Sequence, residues 1–266
     1  MKILVCVKQV PDPESSLSID EGARFIRTDS IAFKINRYDE YAVEEALRMK
    51  QAFPGTSVDA LTVGPARAAG AVRRAIEMGA DNGAHILLEG ELFHEARLTA
   101  SLARAYAAGA GYDLILCGVM AEDDMSSQFG PMLASLLDYP FASSIMRASP
   151  SPEAGSIRVE REVEGGILLV EVALPAVIAV VKRINRCRLP TILGILEAGR
   201  KEIAEVGCSD CECAGLDAGA MGLGGSPTRV AGIFQSHRKR QVEMIGGDAK
   251  EAARTLVARL RQMDVL

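Results

Sequence analysis

Short apolar runs alternate with longer segments of helical periodicity through the first half of this chain. The runs fall at residues 2–8, 57–63, 84–88 and 113–117. Between them, apolar residues recur at helical spacing over about 39–52, 66–79 and 94–109. In the last of these, Leu98, Leu102, Ala105 and Gly109 share one face. Strands and helices in alternation imply a parallel sheet covered on both sides. After Pro140 the pattern changes. Residues 157–163 and 167–173 flank Glu164-Gly165-Gly166, which reads as a hairpin turn, and a further strand runs from Ala176 to Val181 after Pro175. The expected fold is α/β: a doubly wound, mostly parallel sheet with a late antiparallel section.

Beyond residue 184 the periodicity weakens, and small residues cluster from Gly219 to Pro227. Ala249, Ala252, Ala253, Leu256, Val257, Leu260 and Met263 then recur at helical spacing, with Arg254, Arg259 and Arg261 on the remainder. Two units are expected, a sheet domain over 1–184 and an extended arm over 185–266 that ends in a helix. The apolar stripe of that helix must be buried somewhere, on its own domain or on a partner chain.

Composition narrows the function. Of 266 residues, 24% are charged and the formal net charge is -5, which speaks against nucleic acid as a partner. Trp is absent, so stacking platforms for bases are not expected. No segment approaches a membrane span, and the opening Ile3-Leu4-Val5-Cys6-Val7 reads as a buried strand. The expected location is the cytoplasm, or the mitochondrial matrix if a presequence is missing. Of six cysteines, Cys6 and Cys117 fall in strands. Cys208, Cys211 and Cys213 have metal-like or redox-like spacing to which Cys187 could add a ligand; the other reading is a polar linker that carries thiols.

The most informative stretch lies between Gly118 and Gly130. The apolar run Leu114 to Cys117 leads into it, and a helix pattern (Met132, Leu133, Leu136, Leu137) leads out. In a parallel sheet, nucleotides sit in the crevice at the strand ends. A helix opening at Ser127 or Gln128 would aim free N–H groups and its positive end at a phosphate, with Ser126, Ser127 and Gln128 as side-chain donors. Glu122, Asp123 and Asp124 would repel a phosphate and must point elsewhere. An ordinary strand–helix loop would show the same spacing.

Three further motifs join this loop: Asn36-Arg37-Tyr38-Asp39-Glu40-Tyr41-Ala42-Val43-Glu44-Glu45-Ala46, the 75–81 segment ending Met78-Gly79-Ala80-Asp81, and Val159-Glu160-Arg161-Glu162 with Gly165-Gly166. Together, and in this order, they resemble the β subunit of electron transfer flavoprotein, collinearly from Met1 to about Lys201 and more loosely to Leu266. Arg37 stands where the family pattern has Pro.

The resemblance implies an adenine-nucleotide-binding sheet and a heterodimer with a homologous α subunit that holds most of an FAD. It also implies an adenine nucleotide, usually AMP, in the β subunit. Carried over residue by residue, the nucleotide contacts are Cys6, Asn36, Arg37, Tyr38, Asp39, Val63 and the run Gly118, Val119, Met120, Ala121, Glu122, Asp123, Asp124, Met125, Ser126, Ser127, Gln128 and Phe129. A protruding loop with an apolar anchor, here Ile192, Leu193, Ile195 and Leu196, would enter a pocket on acyl-CoA dehydrogenases, or else pack on the α subunit. A quinone reductase would collect the electrons.

One branch of the family bifurcates electrons from NADH and holds a second FAD in place of AMP, with Gly where Asp124 stands here. Asp124 and Phe129 fill the room a flavin needs, which favours AMP. Val7 to Asp12 and Gly225 to Thr228 resemble the NADH-linked branch.

As a carrier subunit the chain needs no catalytic residue, because the chemistry belongs to the cofactor. His85, His94 and His237 form no triad-like grouping. A stand-alone adenine-nucleotide sensor would need only residues 1–183 and would leave the arm unexplained. An adenylating enzyme would need a Gly-rich loop after the first strand, where this chain has Lys8-Gln9-Val10-Pro11-Asp12-Pro13.

Overall fold

The computed structural model describes residues 1–19, 22, 26–28, 31–88, 95–207, 231–235 and 242–265. One nine-stranded sheet organises them. Its parallel part comprises β1 (Lys2–Cys6), β4 (Ser57–Gly64), β5 (Asn82–Leu87), β6 (Leu114–Gly118) and β10 (Ala176–Val180), and β7 (Phe141–Ser151) pairs parallel with β10. β8 (Ser156–Val163) and β9 (Gly166–Ala173) continue it antiparallel, and β11 (Ala204–Gly207) closes the other edge parallel to β5. The spatial order is β11-β5-β4-β1-β6-β10-β7-β8-β9. A small antiparallel pair, β2 (Gln9–Pro11) with β3 (Phe33–Ile35), stands apart from it. This is the α/β sheet with a late antiparallel section that the alternation of patterns implied.

Side-chain alternation along the strands divides the core into two layers. Ile3 and Val5 of β1, Val58 of β4, and Leu114 and Leu116 of β6 point to one face. There they meet Val43 and Leu47 of α1 (Arg37–Ala52) and Val72 and Ile76 of α2 (Ala69–Met78). Leu4, Leu61, Ile86 and Ile115 point to the other. They pack on Leu98 and Leu102 of α3 (Ala96–Ala107) and Leu133 of α4 (Phe129–Leu137). Each such side chain contributes about 1.5–3 kcal/mol through burial. Gly83 lets α2 lie close on β5, since a Cβ there would stand 2.2 Å from Val72 Cγ1. Gly79 ends α2 at φ +127, a conformation that favours glycine.

The region after residue 184 differs from an unstructured arm. Residues expected as a protruding loop form α5 (Ile192–Arg200), capped by the Thr191 hydroxyl, which accepts from Gly194 N–H at 3.0 Å. α5 packs on α2, and its Gly194 sits so close that a Cβ would stand 2.8 Å from the Glu77 carbonyl oxygen. β11 then returns the chain to the main sheet beyond the boundary expected at residue 184. The expected terminal helix is α6 (Ala249–Gln262), with a capping box between Asp248 and Glu251. None of its residues is buried, so its apolar stripe does not fold back onto the described residues. No helix among the described residues is long and apolar enough to cross a membrane.

Candidate functional site

β4 and β5 lie on one side of β1 and β6 lies on the other, so the strand order reverses between β1 and β6. Ligand crevices in open α/β sheets form at such reversals, outside the carboxyl ends of the strands. A crevice open to solvent occupies that place, with about 90 Å³ of room for the centres of water-sized molecules. Its floor is Cys6, Leu61, Val63 and Cys117 from the strand ends. One wall is Thr99 and Ala103 of α3, and the rim is Gly118 to Ala121, Asp124 and Ser126 to Gly130.

Asp39 holds the strand ends together beneath it. One carboxylate oxygen accepts from the Lys8 N–H at 2.8 Å and the other from the Gly118 N–H at 2.8 Å, so a single buried side chain ties the end of β1 to the end of β6. Burial pushes its pKa up to about 7, against the pull of those two amides, Asn36 and the Lys8 cation. Gly118 is glycine because α1 starts against it: a Cβ would lie 2.5 Å from Tyr38 Cβ and 2.6 Å from Asp39 Oδ1.

Asn36 occupies the N-cap position of α1 without capping it. Its side chain reaches the rim instead. Nδ2 donates to the Met120 carbonyl at 2.9 Å and Oδ1 accepts from the Glu122 N–H at 3.1 Å.

The three acids of the rim turn to lysines. Lys8 Nζ donates to Asp123 Oδ1 at 2.8 Å and Asp124 Oδ2 at 2.9 Å, and Lys34 Nζ lies 3.9 Å from Glu122 Oε2. Burial alone would raise the Asp124 carboxyl; the Lys8 cation and the Ser126 N–H outweigh it and hold it below the usual carboxylate range. Met125 and Ser127 adopt left-handed backbone at φ 49 and 55, which winds the loop tightly before α4 opens at Phe129. The first amides of a helix have no partner inside it, though Pro131 supplies none.

Of the residues expected to contact a nucleotide, Cys6, Asn36, Asp39, Val63, Gly118 to Ala121, Asp124 and Ser126 to Phe129 line the crevice. Arg37, Tyr38, Glu122, Asp123 and Met125 do not. Arg37 is exposed at the start of α1, Tyr38 backs Gly118, and Met125 points to solvent. The crevice also takes in Lys8, Ala96 and Thr99, which had no motif to mark them. Lys8 is invisible locally because its partners lie 115 and 116 residues away.

The crevice offers hydrogen-bond donors and apolar surface. Burial and the neighbouring Asp39 push the Cys6 thiol far up, and burial also raises Cys117, so neither is a ready nucleophile. His85 is buried at 3% exposure, with Nε2 2.8 Å from the Gly64 carbonyl oxygen. No group of three His, Cys, Asp or Glu that could hold a metal occurs among the described residues. Cys187 is free and half-buried, with its pKa pushed up to about 12 chiefly by burial. Cys208, Cys211, Cys213, His94 and His237 lie outside the described residues.

Fold and crevice together define an α/β protein of the open-sheet class with its ligand site at the strand-order reversal. A family model for the electron transfer flavoprotein domain matches residues 25–210. The chain is 34% identical to "Electron transfer flavoprotein subunit beta" of Thermoanaerobacterium thermosaccharolyticum over 270 residues, covering 100% of both chains. It is 34% identical to the mitochondrial "Electron transfer flavoprotein subunit beta" of Oryza sativa subsp. indica over 94% of this chain and 99% of the relative. It is also 34% identical to "Protein FixA" of Azotobacter vinelandii over 98% of this chain and 94% of the relative. The chain belongs to the electron transfer flavoprotein β-subunit family.

Proposed function

We propose that this chain is the non-catalytic half of an electron-carrying heterodimer and that its crevice holds the adenylate of AMP. Its partner is an electron transfer flavoprotein α subunit, which holds most of the FAD that takes and gives electrons. Donors are flavin dehydrogenases of the acyl-CoA dehydrogenase type, and a quinone reductase is the acceptor. The chain acts in the cytoplasm, or in the mitochondrial matrix.

The observation that carries the reading is the crevice at the β1/β6 reversal, rimmed by an amide-rich loop that runs into a helix N-terminus. Such a rim suits an anion, and the apolar floor of Cys6, Leu61 and Val63 suits a flat base. AMP is favoured over a second FAD because Asp124 and Phe129 line the crevice where an added flavin would need room. The docking role rests on α5, whose Ile192, Leu193, Ile195 and Leu196 are exposed on a helix held firmly against α2.

The test is co-expression with the α subunit, followed by absorption spectroscopy and mass spectrometry of the released nucleotides. One FAD plus one AMP per heterodimer is expected. Two FAD would replace the AMP assignment with a bifurcating role. A colourless chain that binds ATP as a monomer and ignores the α subunit would make it a nucleotide sensor.

A further inference from the structure

We infer that Lys8 is the positioning residue that makes an acidic loop fit to receive an anion, by pairing with Asp123 and Asp124 and offsetting part of their charge beside the crevice. The inference rests on the adenylate reading and names what that site requires.

The sequence of the loop is at odds with a phosphate. Two carboxylates precede the amides of Ser126 to Gly130 by only a few residues, and Asp124 itself lines the crevice. Unpaired, both would repel any anion seated there, and the partly enclosed site would screen that repulsion poorly.

Lys8 answers the conflict from the opposite wall. Its backbone N–H is fixed to buried Asp39, so its Cα cannot drift from the end of β1. Its ammonium then reaches across the β1/β6 reversal to Asp123 Oδ1 at 2.8 Å and Asp124 Oδ2 at 2.9 Å. The lysine and Asp123 side chains are 24% and 10% exposed, so the pair lies largely out of bulk solvent. Asp124 also accepts the Ser126 N–H at 2.9 Å, which couples the ion pair to the loop's winding at Met125 and Ser127. One cation therefore both offsets one of the two negative charges and anchors the turn that presents the amides.

This role differs from that of a lysine binding phosphate directly, and the two are separable. The full chain, co-purified with its α subunit and freed of bound adenylate, is titrated with AMP and with uncharged adenosine. In Lys8→Met the dissociation constant for AMP rises about tenfold, as for loss of one partner of a semi-buried charge pair, while that for adenosine stays unchanged. Adding Asp123→Asn and Asp124→Asn to Lys8→Met restores AMP affinity. The two Asn substitutions with Lys8 retained tighten AMP binding, an arm that stands even if Lys8→Met folds poorly.

An AMP affinity that falls in Lys8→Met and is not restored by the Asn pair means that Lys8 contacts phosphate itself, and overturns the inference. Equal losses for AMP and adenosine reduce Lys8 to a purely structural role, and also overturn it. A wild-type complex that takes neither AMP nor any other adenylate overturns the functional reading first, and this inference with it.

Discussion

Asp39 shows how one side chain can be both a structural clamp and a pH-dependent element. Its two oxygens take the amides of Lys8 and Gly118. Burial raises its pKa to about 7, so the folded state holds this proton more tightly than the unfolded state does. The sign follows. Its contribution to stability is fully present below the unfolded carboxyl value near 4 and is lost as pH rises through about 7. Chemical denaturation of wild type and Asp39→Asn at pH 5, 6, 7 and 8 checks this. The stability difference between them should shrink with rising pH by about 1.4 kcal/mol per unit up to neutrality, then level off.

Asn36 gives a second test at the same scale. Asn36→Ala removes both tethers to the rim, at Met120 and Glu122, and should cost about 1–3 kcal/mol. It should also weaken AMP binding measured by calorimetry. In the sequence Asn36 heads the 36–46 motif, just ahead of the helix expected over about 39–52, and α1 does begin directly after it. Nothing in the motif signals that the amide turns away from its own helix, because Met120 and Glu122 are 84 and 86 residues distant.

At the level of elements, legibility tracked how strongly each segment declares its own period. β1, β4, β6 and β10 are dense apolar runs and were readable, as was the β8–β9 hairpin with its Glu164-Gly165 turn. β7 was not. Phe-Ala-Ser-Ser-Ile-Met-Arg-Ala-Ser-Pro-Ser has few β-branched residues, a proline and a pairing irregularity between Ile145 and Arg147. It is a strand because β10 and β8 pair with it from both sides. β2, β3 and β11 are three or four residues long and exist only through partners far along the chain.

α5 escaped because Gly194 and Gly199 argue locally against a helix, while its hold on α2 argues for one. That hold extends to the segment before it. Arg188 Nε donates to Glu44 Oε2 at 2.7 Å, and its backbone N–H donates to the same oxygen at 3.1 Å. Burial alone would raise Glu44; Arg188 outweighs it and holds the carboxyl below the usual range. Arg188→Ala leaves that buried carboxylate with Arg48 alone, 3.3 Å away, and should cost about 1–3 kcal/mol in urea unfolding. By contrast, Ile192→Asp with Leu193→Asp alters residues that are 79% and 71% exposed. That variant should melt within about 2 °C of wild type, yet reduce electron uptake from a dehydrogenase at least about tenfold in stopped-flow reduction.

For the whole molecule, the crevice lies where the ends of β1, β4 and β6, the start of α1, and α3 converge. A ligand there is therefore linked to global unfolding. Adenylate at a hundred times its dissociation constant should stabilise the fold by about 2.7 kcal/mol, raising the melting temperature by roughly 5–10 °C for a chain of this size. Thermal scans of the complex with and without AMP read this directly. Apolar surface left over elsewhere has a different meaning. Ile167, Leu168 and Leu169 on β9, and Leu256, Val257 and Met263 in the terminal helix region, are exposed and do not line the crevice.

β9 and β11 are the two outer strands of a nine-strand sheet, and α5 sits beside the β11 end. Eight inter-strand gaps separate those margins, a span of roughly 38 Å at ordinary strand spacing. Exposed Ile167, Leu168 and Leu169 at the hairpin margin and Ile192 and Leu193 at the helix margin are therefore separate apolar patches. A substitution confined to one patch is thus expected to leave binding at the other unchanged.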